Sequence, residues 1–136
     1  MKRMIYVLTI ALLTTVAFAA DQPTNVEKAR IELAKRALLD VLKSENAGAR
    51  NSALHVIAKI KSDYPDVDLT VFNDMLLKLS RNDERSLIRV NANLAYAYIN
   101  NPELAARVKV EDPEDPAAFF NALYNELNKA VVAFNN

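Results

Sequence analysis

Two stretches of this chain, residues 49–60 and 88–99, share one pattern of apolar positions at a separation of thirty-nine residues. The apolar positions fall at i, i+4, i+7, i+8 and i+11 in both copies, which is the spacing of one face of an α-helix. They are Ala49, Ala53, Val56, Ile57 and Ile60 in the first copy and Ile88, Ala92, Ala95, Tyr96 and Ile99 in the second. The pattern therefore predicts a repeated helix.

Start and stop signals predict the helices of the first copy. Thr24 and Glu27 have the spacing of a capping box and precede an apolar helical stripe, which predicts a first helix over 25–43. The helix of the first copy follows a short turn and runs over 49–62. It ends before Pro65, because a residue that precedes proline is disfavoured in the α region.

The same signals place a helix before the second copy. Residues 66–70 open this third helix, with Asp68 as its cap. Its predicted buried residues are Phe72, Met75, Leu76 and Leu79. The second copy itself, 88–99, also alternates apolar and polar residues as a strand would. We interpret it as a helix, because Leu-Leu pairs at 38–39 and 76–77 precede the two copies at nearly the same distance.

The C-terminal region is predicted to form two more helices. Asn101 and Pro102 have the cap and first-turn chemistry of a short helix that ends at Arg107. An acidic loop, 111–115, follows, and the last helix begins at Pro116. Its apolar seam consists of Phe120, Leu123, Leu127, Ala130 and Phe134. We expect this helix to close the end of the stack.

Composition supports a helical fold. The chain of 136 residues has one glycine, Gly48, and five prolines. A β-sandwich needs many more turn glycines, so this composition excludes it. We therefore predict an all-α fold.

The first twenty residues have the pattern of a secretory signal peptide. A basic start precedes an uncharged run, 4–20, and Ala17-Phe18-Ala19 is a sequence that a signal peptidase accepts. The run has seventeen residues and is rich in Thr and Ala, whereas a membrane span needs roughly 20 strongly apolar residues. An uncleaved anchor is the alternative. We expect cleavage after Ala19, which leaves a single periplasmic or secreted domain, 20–136, with no stable membrane anchor.

Charge and cysteine content exclude several functions. The chain has no cysteine, which excludes disulfides, thiol catalysis and thiolate metal ligands. It has 17 basic and 17 acidic residues, and loss of Lys2 and Arg3 with the signal peptide leaves a net charge of −2. No basic run marks a nucleic-acid site. His55 is the only histidine, too few for a histidine-based metal site, and we predict no metal and no cofactor.

Both copies have a tight turn followed by a helix that opens with an apolar residue and arginine and has alanine four residues on. This pattern resembles the HEAT-like (armadillo-type) helical repeat. The matching residues are Ala49, Arg50 and Ala53 in the unit 38–60, and Ile88, Arg89 and Ala92 in the unit 76–99. The resemblance implies a short α-α superhelix of two helical hairpins with a closing C-terminal helix. It also implies that the second helices line a face that binds another protein, without catalysis.

Three features suggest chemistry but have simpler structural interpretations. The D-x-D-x-T string at 66–70 matches phosphoaspartyl phosphatases but lacks their preceding buried strand, so helix capping is favoured. The acidic loop 111–115 lacks the alternating ligands of a calcium loop, so we expect it to be solvated. We expect Arg50 and Arg89 to form structural ion pairs. No catalytic residue is predicted.

A binding role is the best functional prediction. His55 is expected to be solvated or at a groove edge, because it lies off the apolar stripe of its helix. Leu94 and Tyr98 share another side of the fourth helix, which either the last helix or a protein partner covers. The predicted groove consists of Asn51, His55, Lys59, Asn93, Leu94 and Tyr98. We predict a non-enzymatic exported interaction module with a protein partner. The alternative is a carrier of a small apolar ligand between the last helix and the repeats.

Overall fold

The computed structural model describes residues 23–135, which form six α-helices and no strand in this part of the chain. The helices are α1 (Asn25–Leu42), α2 (Ala47–Asp63), α3 (Asn73–Asn82), α4 (Ser86–Asn100), α5 (Pro102–Arg107) and α6 (Pro116–Phe134). The all-α prediction is confirmed. The predicted signal peptide and its cleavage site lie outside the described residues.

Local capping explains where the first helices begin. The Thr24 hydroxyl accepts the Glu27 N–H at 3.2 Å, and the Glu27 carboxylate accepts the Thr24 N–H at 2.7 Å, so the predicted capping box is present. Helix α2 begins two residues earlier than predicted, because the Asn46 side chain accepts the Ala49 N–H at 3.0 Å and caps it there.

The predicted start of the third helix is only partly right. The Asp68 carboxylate accepts the Thr70 N–H at 2.9 Å and the Thr70 hydroxyl at 2.6 Å. It precedes a short 3₁₀ turn, Thr70–Phe72, and the α-helix begins only at Asn73. The predicted cap at Asp68 is wrong, because the N-cap residues of the 3₁₀ turn and of α3 are Leu69 and Phe72 and neither start has a side-chain cap. The Asp68 carboxylate instead forms a local turn with Thr70.

The core is shared by two helical pairs. Helix α1 packs against α2, α3 packs against α4, and the pairs meet through α2 and α4. The largest side chains buried between these helices are Leu42, Leu54, Ile57, Phe72, Leu76 and Ile88. The predicted stripe of α4 is buried except for the half-buried Tyr96.

The last helix has a different position from the one predicted. Helix α6 contacts α2 as well as α4 and α5, so it lies across both helical pairs and does not merely close one end. Only the first part of its predicted seam is buried: Phe120 and Leu123 are covered, whereas Phe134 is 92% exposed. The seam continues past the region where α6 packs on its neighbours.

An arginine occupies the same place in each pair. Arg50 Nη1 donates to the backbone carbonyl oxygens six and five positions earlier, at 2.9 and 3.0 Å. Arg89 Nη1 donates to the carbonyl oxygens at the same two offsets, at 2.7 and 3.2 Å. Arg50 also donates from Nε and Nη2 to the Asp83 carboxylate, at 2.9 and 3.2 Å. The predicted structural ion pair is confirmed for Arg50, and it joins the two turns.

The Asp83 carboxylate makes stability dependent on pH. Burial acts to raise the pKa of Asp83, but the Arg85 N–H and the Arg50 guanidinium outweigh it and hold this pKa below its ordinary value of 3.8. The stabilisation is therefore complete above the ordinary pKa and is lost as the pH falls through the lower folded value. We expect Asp83→Asn, which does not titrate, to lose stability less steeply than the wild type between about pH 4 and pH 2.

Urea titrations of the two proteins over that pH range measure this difference. Glu27 and Asp68, whose pKa values are lowered by hydrogen bonds to Thr24 and Thr70 respectively, are unchanged in the variant and contribute equally to both curves. Parallel pH dependences would show that Asp83 is not preferentially ionised in the folded protein.

Candidate partner-binding face

The predicted groove residues lie on α2 and α4, and we call the surface around them the second-helix face. The structure places them at very different depths: His55, Leu94 and Tyr98 are buried, Asn51 and Lys59 are half-buried, and Asn93 is exposed. The expectation that His55 is solvated is wrong, since only 6% of it is exposed. Three of the six side chains are therefore inaccessible.

His55 is buried because the chain after α5 folds back over α2. Its Nε2 lies 2.9 Å from the carbonyl oxygen of Pro113, in the loop before α6. A carbonyl oxygen only accepts hydrogen bonds, so Nε2 carries the proton and donates it. The rings of Phe119 and Phe120 meet the imidazole edge-on, with centroids 5.6 and 6.5 Å away. His55 is thus a contact residue for α6.

Helix α6 also packs on Tyr98, as one of the two sequence-based alternatives for Leu94 and Tyr98 expected. The Tyr98 and Phe119 rings are perpendicular, with centroids 5.7 Å apart and an interplanar angle of 89°. Burial raises the pKa of Tyr98, and the Ser62 hydroxyl partly opposes this rise. Leu94 and Tyr98 are only 4% and 3% exposed.

Polar contacts border this aromatic cluster. Lys59 Nζ lies 2.8 Å from the Asp63 carboxylate and 3.1 Å from that of Glu114, which ties α2 to the loop before α6. These two hydrogen-bonded carboxylates raise the pKa of Lys59. The Asn91 amide donates to the Asn51 side-chain oxygen at 2.8 Å and joins α4 to α2.

An apolar stripe on α4 extends beyond the part that α6 covers. At about 100° per residue, Leu87, Val90, Leu94 and Tyr98 fall within an arc of about 80°. Leu94 and Tyr98 are buried, whereas Leu87 is 61% exposed and Val90 47%. The groove predicted from the sequence does not include Leu87 and Val90, although they have i, i+3, i+7 spacing with Leu94.

Exposure also corrects the orientation of α2. Val56, which belongs to the repeated apolar pattern, is 40% exposed, whereas its neighbour His55 is buried. The helix buries a wider arc than the predicted stripe because α6 covers the His55 side. Val56 is therefore an exposed apolar side chain of α2.

The acidic loop has a local structural role. The Asp112 carboxylate accepts the Glu114 N–H at 3.1 Å, and the Asp115 carboxylate accepts the Ala117 N–H at 3.0 Å and caps α6. Within residues 23–135, no three potential metal ligands from His, Asp or Glu are grouped. These carboxylates are used to form a turn and to begin a helix.

The position predicted for an apolar ligand is filled by side chains. Phe119 and Leu123 are fully buried and Phe120 is 4% exposed, so they occupy the space between α6 and the helices beneath it. A cleft of about 390 Å³ lies elsewhere, between α1 and the loop after α2, with Tyr64 and Val67 in its wall.

None of the helices described over residues 23–135 combines the length and the apolar character that crossing a membrane requires. Comparisons with protein families, with curated proteins and with solved structures give no match to this chain.

Proposed function

We propose that this chain is an exported, non-enzymatic protein-binding module whose second-helix face binds a protein partner. The observation that carries the proposal is the α4 stripe. Phe119 of α6 packs on Tyr98, and the stripe that contains Tyr98 and the buried Leu94 continues to the exposed Leu87 and Val90. An exposed apolar surface that continues an existing helix interface is suited to a second apolar contact.

The HEAT-like character of the two units is part of the same proposal. The matching hydrogen bonds of Arg50 and Arg89 to their preceding turns support it, since both arginines use the carbonyls six and five positions earlier. Export rests on the signal pattern of residues 1–19. In helical repeats of this kind the inner helices supply an extended binding surface.

The absence of an assembled catalytic group from the second-helix face favours binding over catalysis. Its only histidine uses Nε2 on a backbone carbonyl and is packed between phenylalanine rings. A general base needs access to the proton that it removes, which this environment denies to Nε2. The carrier alternative is disfavoured because aromatic side chains fill the expected ligand space.

A charge on the exposed half of the stripe tests the proposal. We expect Val90→Asp to abolish retention of the protein partner from the exported proteins of the source organism, with a loss of at least about tenfold, because a carboxylate cannot be desolvated against an apolar partner. Leu33→Asp is the matched control, since Leu33 is also an exposed apolar residue in a helix, at 66%, but lies on α1.

Quantitative mass spectrometry compares the proteins retained by the wild type and by the two variants. Thermal unfolding shows that both variants are folded. The proposal requires one protein that the wild type and Leu33→Asp both retain and that Val90→Asp does not. Equal retention of the same proteins by all three would contradict a partner contact at the α4 stripe.

A further inference from the structure

We infer that two copies of this chain associate through the C-terminal part of α6, with the two helices packed antiparallel along an apolar stripe. The stripe consists of Tyr124, Leu127, Val131 and Phe134, and we call it the α6 stripe. None of these residues lies on α4, so the inference does not depend on the proposed function.

The α6 stripe lies beyond the part of α6 that packs on the rest of the chain. The buried residues of this helix are all in its first half, and they are Phe119, Phe120 and Leu123. After them, Tyr124 is 52% exposed, Val131 58% and Phe134 92%. Neighbouring apolar side chains with this exposure mark an interaction surface.

The four side chains share one side of the helix. Their separations of three, four and three residues correspond to an arc of about 80° at about 100° per residue. The buried Phe120 falls within the same arc. The stripe therefore continues the side of α6 that already packs inside the protein.

The order of side chains in the α6 stripe is the same in both directions. It is aromatic, aliphatic, aliphatic, aromatic, and the spacings are also symmetric. A twofold interface requires one surface to be complementary to itself. When two such helices lie antiparallel, Tyr124 faces Phe134 of the second copy and Leu127 faces its Val131. Every side chain of the stripe then meets one of its own class.

The antiparallel direction is favoured over the parallel one. Antiparallel helices oppose their macrodipoles, whereas parallel helices align them. The first half of each α6 is packed on its own α2, α4 and α5. Antiparallel overlap of the C-terminal parts, about 16 Å long from Tyr124 to Phe134, therefore keeps the two proteins at opposite ends of the paired segment.

Charge favours a second copy over an anionic membrane surface as the occupant. Residues 121–136 contain only two charged side chains, Glu126 and Lys129, which form an ion pair at 3.5 Å. They lie about 100° and about 160° around the helix from Leu127, outside the stripe, so pairing two stripes brings no like charges together. A helix that lies on an anionic membrane is typically rich in basic residues on its polar face.

The size of the stripe predicts a weak dimer. An aromatic side chain buries about 150 to 250 Å², so the exposed parts of the stripe in two copies bury on the order of 800 Å² in total. Interfaces below about 1,200 Å² are typical of weak or transient association. We therefore expect the dimer to form in a concentration-dependent manner.

Sedimentation velocity of the purified protein from about 5 µM to about 1 mM covers the range expected for a weak interface. We expect the weight-average sedimentation coefficient of the wild type to rise with concentration. Val131→Asp is expected to raise the dimer Kd at least about tenfold, because it places a carboxylate near the centre of the interface. Val132→Asp is the matched control and should leave the Kd unchanged, since Val132 is 60% exposed but lies about 100° further around the helix.

A pair of introduced charges tests the antiparallel register. Tyr124→Lys and Phe134→Glu are each expected to raise the dimer Kd at least about tenfold. In the double variant each introduced ammonium faces an introduced carboxylate of the second copy, so we expect it to dimerise at least about threefold more tightly than either single variant. In a parallel pair the same substitutions set like charges against each other. Circular dichroism establishes that every variant is folded.

Four results would overturn the inference. The first is a wild type that remains monomeric over the whole concentration range, and the second is an equal rise in Kd for Val131→Asp and Val132→Asp. The third is a double variant that dimerises no more tightly than the single variants. The fourth is binding of a monomeric wild type to vesicles of phosphatidylcholine and phosphatidylglycerol that Val131→Asp removes, which would show that a lipid surface occupies the stripe.

Discussion

Replacing Arg50 with alanine is expected to lower the free energy of unfolding by about 3 kcal/mol, because it leaves the Asp83 carboxylate buried without its charged partner. The side chains of Arg50 and Asp83 are only 8% and 4% exposed, and the guanidinium bonds both that carboxylate and two carbonyls of its own turn. The pair joins two turns at the edge of the molecule, so we expect the lower part of the range for buried ion pairs.

Arg89→Ala is the matched control for this prediction. Arg89 makes the same two carbonyl contacts, and its replacement is expected to cost about 1 kcal/mol. Arg50→Lys should recover little of the loss, because an ammonium group cannot reproduce the paired geometry of the guanidinium. Urea titrations measure all three variants. If Arg50→Ala and Arg89→Ala lower the free energy of unfolding by similar amounts, the ion pair between Arg50 and Asp83 does not contribute to stability.

Replacing Ile57 with alanine is expected to cost about 2 to 5 kcal/mol, since its side chain is fully buried and the change leaves a cavity between the helices. Val56→Ala, one position away, is expected to cost less than about 1 kcal/mol, because Val56 is 40% exposed. His55→Ala is expected to cost about 1 to 3 kcal/mol, through loss of its hydrogen bond and its contacts with α6.

Equilibrium denaturation of the three variants checks this order. The sequence alone predicts a cost below about 1 kcal/mol for His55→Ala, because it places the imidazole in solvent. A small effect at His55 and a large one at Val56 would show that α2 is rotated relative to the structure. The relative decreases in the free energy of unfolding of the three variants therefore show which sides of α2 are covered.

Short-range signals explain why several helix starts can be predicted from the sequence. Three of these signals are the capping box of Thr24 and Glu27, the cap at Asn101 and the proline at the start of α6. Each acts within a few residues, so its effect can be predicted from the sequence. The Asp68 carboxylate also acts locally, since its bonds to Thr70 span two residues. The turn at Asp68 nevertheless leads into a 3₁₀ turn before α3. The apolar pattern does not distinguish this 3₁₀ turn from the first turn of an α-helix.

The candidate site was predicted less completely because it depends on contacts between distant parts of the chain. Asn51, Lys59, Leu94 and Tyr98 were assigned to the second-helix face, and the structure places them on α2 and α4. Nothing in the helical period of α2 indicates that a loop fifty-eight residues later brings the Pro113 carbonyl to His55. The exposed Leu87 and Val90 were overlooked, since exposure is known only once the neighbours of α4 are placed.

By itself, the sequence determined that this chain is helical, approximately where its helices begin and end, and that an arginine recurs at one position after each turn. These properties follow from periodicity, from caps and from residue propensities, all of which act over one or two helical turns. Only the tertiary structure decided that α6 lies across both helical pairs, that His55 and Tyr98 are buried beneath it, and that the α4 stripe is half covered. Burial depends on which elements meet in space, and an amphipathic pattern specifies that a helix has an apolar face without specifying what covers it.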